Sequence, residues 1–256
     1  MYPNTHALTT LKQQSQETLN FTVLIANSVP LLKKTIKSIE AGDPNTQLAT
    51  PDFFKKSSVA SQLKSYACDY KANLSKYVLL SSFSFFEAYV TDAIKEMICF
   101  HGGLQDFCED TKRRCENHVN PTDKKIIGYR AKLQDSYKKK NSQKYIKYSQ
   151  LLRKENYRFP SELLASLGVQ ALGKKIDNLK SADIPDLLTN GLHFKISAAE
   201  IKEFDSWRSI RNNIAHGNKV NCDMSKALKC NSFLRSLAVR LDLFLVQNYF
   251  VIEKHS

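Results

Sequence analysis

The stretch Lys76–Phe100 reads KYVLLSSFSFFEAYVTDAIKEMICF, and its reading decides the fold. At about 100° per residue, Tyr77, Phe85, Ala88 and Tyr89 form one stripe, while Leu79, Phe83, Phe86 and Val90 fall elsewhere around the axis. A helix apolar on more than one side packs against several neighbours, which predicts a central helix in an all-α protein. His101-Gly102-Gly103 ends it.

Working outward, the residues from about 8 to 40 carry leucines and isoleucines at helical spacing and stop at Ala41-Gly42-Asp43-Pro44, with a linker from Asn45 to Pro51. On the other side lies a basic section from Leu104 to about Lys195, divided by Pro121, Pro160 and Pro185. Pro160-Ser161-Glu162 opens a small helix there, with Leu163, Leu164 and Leu167 inward. Ser197-Ala198-Ala199-Glu200 fits a capping box. It predicts a helix through Ile201, Phe204, Trp207, Ile210 and Ile214 that stops at Gly217. A last helix runs from about Asp223 to Val251, with Leu234, Leu237, Leu241, Phe244 and Leu245 as its buried stripe. The pieces predict an antiparallel helical bundle built on the helix ending near Cys99, the Ser197 helix and the C-terminal helix, with the basic section as an insert.

Composition agrees with that class. The 256 residues are 42% hydrophobic and contain only 8 Gly and 7 Pro, which argues against a β-sandwich or β-barrel. The longest apolar runs fall far short of the ~18 residues of a bilayer span. The opening MYPNTHALTT offers neither a basic n-region nor an apolar h-region. A cytoplasmic protein with no membrane partner is the expectation.

The charge is concentrated. Of 38 basic and 25 acidic residues, fifteen basic against four acidic fall between Lys112 and Arg158. Such a field attracts polyanions, nucleic acid first. Tyr129, Tyr137, Tyr145, Tyr148 and Tyr157 are interleaved with the cations, and tyrosines stack on unpaired bases while cations follow phosphates. Lys138, Lys139, Lys140, Tyr145 and Tyr148 are the candidate RNA-binding residues. The other reading is a solvated helical insert whose tyrosines pack on their own domain. Of the cysteines, Cys99 and Cys108 lie near Cys115, with His101 and His118 beside them. Their spacing fits no standard zinc finger, so reduced thiols are the expectation and neither metal nor cofactor is assigned.

No phosphate-binding glycine loop, nucleophile elbow, metalloprotease motif or dinucleotide fingerprint is present. What remains is Asp205–Gly217, DSWRSIRNNIAHG. Asp205, Arg208, Asn212 and His216 project from one helix face, opposite Phe204, Trp207, Ile210 and Ile214, and Arg211 flanks the polar face about 140° from His216. The two groups meet only where the helix ends or distorts, the arginine bends over, or a second subunit completes the site. Gly217 suits the left-handed residue that follows a helix. Cations followed by glycine also describe a plain helix C-terminus.

The run R-N-N-I-A-H-G resembles the R-x4–6-H signature of the HEPN superfamily, as Arg211-x4-His216. Ser82–Tyr89 is similar to the F-E-x-Y pattern of several bacterial HEPN groups, an acidic residue ahead of the arginine is matched by Asp205, and the polar residue after it by Asn212. The resemblance covers the helices at about 60–101 and 196–251. It implies an α-helical bundle and says nothing of residues 1–55 or of the insert. Together with the helical spacing, the organisation expected is an N-terminal helical segment at 1–44 and a HEPN-like helical domain at 52–256 interrupted by the basic insert 104–195. The resemblance also implies dimerisation that brings two motifs face to face. The implied activity is a metal-independent endoribonuclease of toxin–antitoxin, abortive-infection or anti-phage systems, with an antitoxin or defence protein as partner and tRNA or other structured or single-stranded RNA as substrate. His216 would act as base or acid, Arg211 would stabilise phosphorane charge, and Asn212 would orient phosphate or imidazole. Asp205 would hold Arg211 or set the histidine tautomer, with Arg208 as a reserve phosphate contact. Glu87 either faces the site or partners an arginine. Many HEPN domains imply the alternative, a non-catalytic module for dimerisation or for binding RNA or a protein partner.

Overall fold

The structure is a computed structural model and describes residues 4–51, 59–109, 124–154, 173, 176 and 179–250. Every regular element among them is helical. The helices are α1 (His6–Glu40), α2 (Ala60–Cys68), α3 (Tyr70–Phe100), α4 (Lys124–Lys138), α5 (Ser142–Lys154), α6 (Ala198–Ala215) and α7 (Met224–Asn248). Between α5 and α6, a 3-10 turn at Ser181–Asp183 passes through Ile184–Asp186 into a π turn at Leu187–Gly191. The small helix expected after Pro160 lies outside the described residues.

The chain divides into two compact units. One comprises Met1–Glu96, Leu179–Ile184 and Ile196–Ser256, and the other Met97–Asn178 and Pro185–Lys195. The first holds α1, α2, most of α3, α6 and α7; the second holds α4 and α5.

The core stripe of α3 is the second set of residues named above. Leu79, Phe83, Phe86 and Val90 are fully buried, joined by Val78, Ala93 and Ile94 at three- and four-residue spacing. Tyr77 is 67% exposed, Ala88 is exposed and Phe85 is intermediate, so of the other stripe only Tyr89 is buried. Tyr89 belongs inside because its hydroxyl finds acceptors, donating to the Ala238 carbonyl at 3.0 Å and to Asp242 Oδ1 at 3.4 Å. Tyr77 and Phe85 instead line an open groove of about 480 Å³ with Leu74 and Val78 of α3 and with Phe21 and Thr22 of α1.

Polar stitches fix the helices around α3. Phe204 of α6 packs on Phe83 and Phe86, with ring centroids 5.3 and 6.0 Å away. Asn231 of α7 donates to the buried Ser82 hydroxyl at 2.8 Å. The start of α1 is tied down twice. Thr5, its N-cap, donates to the fully buried Asp242 through both backbone N–H (3.1 Å) and hydroxyl. Glu96 of α3 accepts the next two free amides, from His6 at 2.9 Å and Ala7 at 3.1 Å. A carboxylate at a helix N-terminus is favoured by both the unpaired donors and the dipole. The Lys64–Glu40 ion pair, at 2.8 Å, closes α2 onto the far end of α1.

In α7, Leu234, Leu237, Leu241 and Leu245 are buried as expected, and Phe244 is intermediate. The helix begins at an Asp223 N-cap and ends at Asn248, where Tyr249 caps it.

Candidate active site

The site is built on α6, whose two ends are fixed by sequence. At its start the capping box forms in full: the Ser197 hydroxyl accepts from Glu200 N–H, and the Glu200 carboxylate accepts from Ser197 N–H at 2.9 Å. Those bonds to Ser197, helped by Arg240, hold the Glu200 carboxyl below its ordinary range. Arg240 of α7 pairs with the same carboxylate and locks α6 to α7.

At its other end, His216 is the C-cap and Gly217 follows at φ +74°. Gly217 N–H donates to the Ile214 carbonyl at 3.0 Å, and Asn218 N–H to the Asn213 carbonyl at 2.9 Å. This pair of bonds is the Schellman closure, and it needs the left-handed backbone that glycine supplies. The imidazole of His216 is therefore presented from an exposed helix end, just past the last α-helical turn.

Arg211 reaches across to α3. Its Nη2 donates to Glu87 Oε2 at 3.1 Å and its Nη1 to Asn212 Oδ1 at 3.0 Å. The side chains of Arg211 and Glu87 are 27% and 23% exposed, open enough for a ligand and closed enough for the charges to feel one another. Asp205 does not hold Arg211; it pairs within α6 with Arg208 at 2.9 Å, the neighbour that i,i+3 spacing delivers. The structure thus brings Glu87, Arg211 and Asn212 together and sets Asp205 with Arg208 apart from them. Among the described residues, no hydrogen bond or ion pair joins the His216 imidazole to either group.

A family model described as RiboL-PSP-HEPN matches residues 50–247. The chain belongs to this HEPN family. Comparison with curated proteins and with solved structures returned no match. The HEPN match runs through the basic section as well as the core helices, and α1 lies ahead of it. Seen in the fold, the F-E-x-Y residues are three connectors on adjacent faces of α3. Phe86 packs on α6, Glu87 pairs with Arg211 of α6, and Tyr89 bonds to α7. Burial, with the Asp242 carboxylate beside it, pushes the Tyr89 phenol well above its usual range. Asp242, which anchors both Tyr89 and Thr5, escaped the sequence reading although an acid on the inward side of an apolar helix was its signal.

The candidate RNA-binding residues sit on a separate helical hairpin. Lys138 ends α4 and Lys139 and Lys140 form the turn to α5; all three are exposed, Lys139 pairing with Asp135 at 3.0 Å. Tyr148 faces Tyr129 of α4 at 6.2 Å, with the Lys132 ammonium 5.7 Å from its ring, and Tyr145 is half-buried. Of the cysteine–histidine cluster, Cys99 is exposed, Cys108 is buried and His101 stacks on Phe107 at 4.2 Å, while Cys115 and His118 lie outside the described residues. Among the described residues no group of three or more His, Cys, Asp or Glu is placed to hold a metal ion. No helix among them is long and apolar enough to cross a membrane.

Proposed function

We propose that this protein is a metal-independent endoribonuclease, acting as a toxin or anti-phage effector, that cleaves RNA by attack of a 2′-OH and leaves a 2′,3′-cyclic phosphate. The observation behind this reading is the Glu87–Arg211–Asn212 array beside a helix end that presents His216. Cleaving RNA without a metal requires a base for the 2′-OH proton, a donor for the leaving 5′-oxygen, and positive charge at the phosphorane. An imidazole titrates near neutral pH and serves either proton transfer. A guanidinium with donors to spare meets the phosphorane oxygens and stays charged throughout. Asn212 and Glu87 act as positioning residues that fix the guanidinium plane, and Arg208 with Asp205 offers a further phosphate contact on the same helix.

A homodimer suits the chemistry, because a second motif supplies a second imidazole and lets base and acid be separate groups. RNA, tRNA included, is the substrate class, and an antitoxin or defence protein restrains the enzyme in the cytoplasm. In the test, purified protein with tRNA or total RNA in EDTA yields fragments ending in 2′,3′-cyclic phosphate. Arg211→Ala and His216→Ala each lower cleavage by about 10²-fold or more. Undiminished cleavage in both variants refutes the chemistry.

One observation favours the alternative of a non-catalytic dimerisation or binding module: both partners of Arg211 are intramolecular. On that reading Arg211→Ala lowers the melting temperature and the wild type cuts no RNA.

A further inference from the structure

The α4–α5 hairpin of the second unit concentrates most of the chain's excess positive charge on a built scaffold. Between Lys124 and Lys154 there are eleven basic residues and one acidic, Asp135. The hairpin that holds them closes by the same device as α6. Asn141 N–H donates to the Ser136 carbonyl at 2.9 Å, and Asn141 Oδ1 then caps α5 by accepting from Lys144 N–H at 3.1 Å. The residue that turns left-handed is Lys140, at φ +52°. Glycine fills such a position without strain, so a lysine there keeps a charge at the tip against the backbone preference.

Two further facts set what the surface reads. The lysines are exposed and follow helical repeats: Lys125, Lys132 and Lys139 recur every seventh residue, and Lys144, Lys147 and Lys154 line α5. At 1.5 Å per residue the first row extends over about 21 Å, matching a regular polyanion and not a single acidic group. Two of the interleaved rings, by contrast, are half-buried between the helices. Tyr129 and Tyr148 face each other across the helices, and Leu133 and Leu152 are buried.

We propose that the α4–α5 hairpin is an RNA anchor that follows the phosphate backbone and does not read or stack on bases. The inference rests on the RNA-directed reading above and says how that substrate is held. Stacking, which the interleaved tyrosines promise in the sequence, is replaced at Tyr129 and Tyr148 by their use as a weld between the two helices. The residues that face RNA are lysines, and binding to them is electrostatic, indifferent to sequence and steeply dependent on salt.

The test uses full-length His216→Ala protein in EDTA, with a 20-base-pair RNA duplex and with poly(U), poly(A) and poly(C), from 50 to 200 mM salt. Wild-type hairpin protein binds all of them, the homopolymers within tenfold of one another. Lys138→Gln/Lys140→Gln/Lys144→Gln removes three phosphate contacts and shrinks the salt-driven loss of affinity over that range by roughly 20- to 40-fold. The matching Lys→Arg triple keeps it. An unchanged salt dependence in the Gln triple overturns the proposal, as does preference for one homopolymer beyond tenfold. Binding to polyglutamate without binding to RNA also overturns it, in favour of an acidic protein partner. Should the Gln triple lose its helical circular dichroism, the hairpin-intact protein decides, because a salt slope near zero overturns the proposal. Absence of cleavage in the wild type sinks the nuclease reading and leaves this assay intact. Full binding by the Gln triple beside active wild type sinks the anchor alone.

Discussion

The Glu87–Arg211 pair is the contact through which the fold and the candidate site test each other, and a double-mutant cycle measures it. The nitrogen and oxygen are 3.1 Å apart with side chains about a quarter exposed. At an effective dielectric near 20 the Coulomb attraction is about 5 kcal/mol before desolvation. Fully exposed pairs retain under about 1 kcal/mol, whereas truncating one partner of a buried pair costs about 3–5 kcal/mol. A quarter-exposed pair with one hydrogen bond falls between, so the coupling expected is about 1–2 kcal/mol. For a unit of this size that corresponds to a melting shift of about 3–6 °C. The assay is urea unfolding of wild type, Glu87→Ala, Arg211→Ala and the double variant, followed by far-ultraviolet circular dichroism. The Asp205–Arg208 pair is an internal control. It is more exposed and lies within one helix, and its coupling should stay below about 0.5 kcal/mol. If the Glu87 and Arg211 effects simply add to within about 0.3 kcal/mol, the two residues are not paired as described and the array at the end of α6 is lost.

Three further outcomes follow from the same contacts. Asp242→Ala strands the amide and hydroxyl of Thr5 in a buried setting and should lower stability by about 3–5 kcal/mol, read by thermal unfolding; a loss under about 1 kcal/mol would show that α1 is not anchored there. Tyr89 has its phenol pKa raised, chiefly by burial, so the stability that its neutral form contributes is complete below the unfolded value near 10 and fades as pH rises through the folded value. Tyr89→Phe should flatten the loss of stability above pH 10, and an unaltered alkaline slope counts against the buried phenol. Under the nuclease reading, Glu87→Gln keeps a hydrogen-bond acceptor and drops the charge; KM and kcat should both fall, whereas a purely structural Glu87 leaves both KM and kcat of the folded enzyme unmoved.

Much of the scaffold is legible in the sequence because its signals are local. Ser197 with Glu200 and Gly217 after His216 are short-range backbone chemistry, and both ends of α6 form where those residues place them. The inward leucines of α7 follow from period alone. The face of α3 does not, because apolar residues nearly surround the axis and periodicity cannot say which side meets the bundle. Helical angle groups Tyr77 and Phe85 with Tyr89, yet of the three only Tyr89 donates to acceptors on another helix, and those are long-range facts. The partners of Arg211 were hidden for the same reason. Glu87 lies on a different helix, and the nearer acid, Asp205, had a nearer cation in Arg208.

That choice of partner constrains how Arg211 would meet a phosphodiester. A guanidinium has five N–H donors, and the bonds to Glu87 and Asn212 occupy two of them. Phosphate oxygens can be received by the remaining donors with the ion pair intact, so binding RNA does not require the half-buried carboxylate to be abandoned. The pair also shapes the energetics. Glu87 offsets part of the arginine's charge, which weakens its pull on a ground-state phosphate carrying one negative charge. As the phosphorane accumulates charge, the repulsion from Glu87 grows in the same proportion as the arginine's pull, so preference for the transition state rests on the guanidinium plane that the carboxylate holds in place. Removing the carboxylate's charge strengthens ground-state binding and frees the guanidinium plane at the same time. This is why KM and kcat are expected to fall together in Glu87→Gln, and why a stability measurement alone cannot replace the kinetic one.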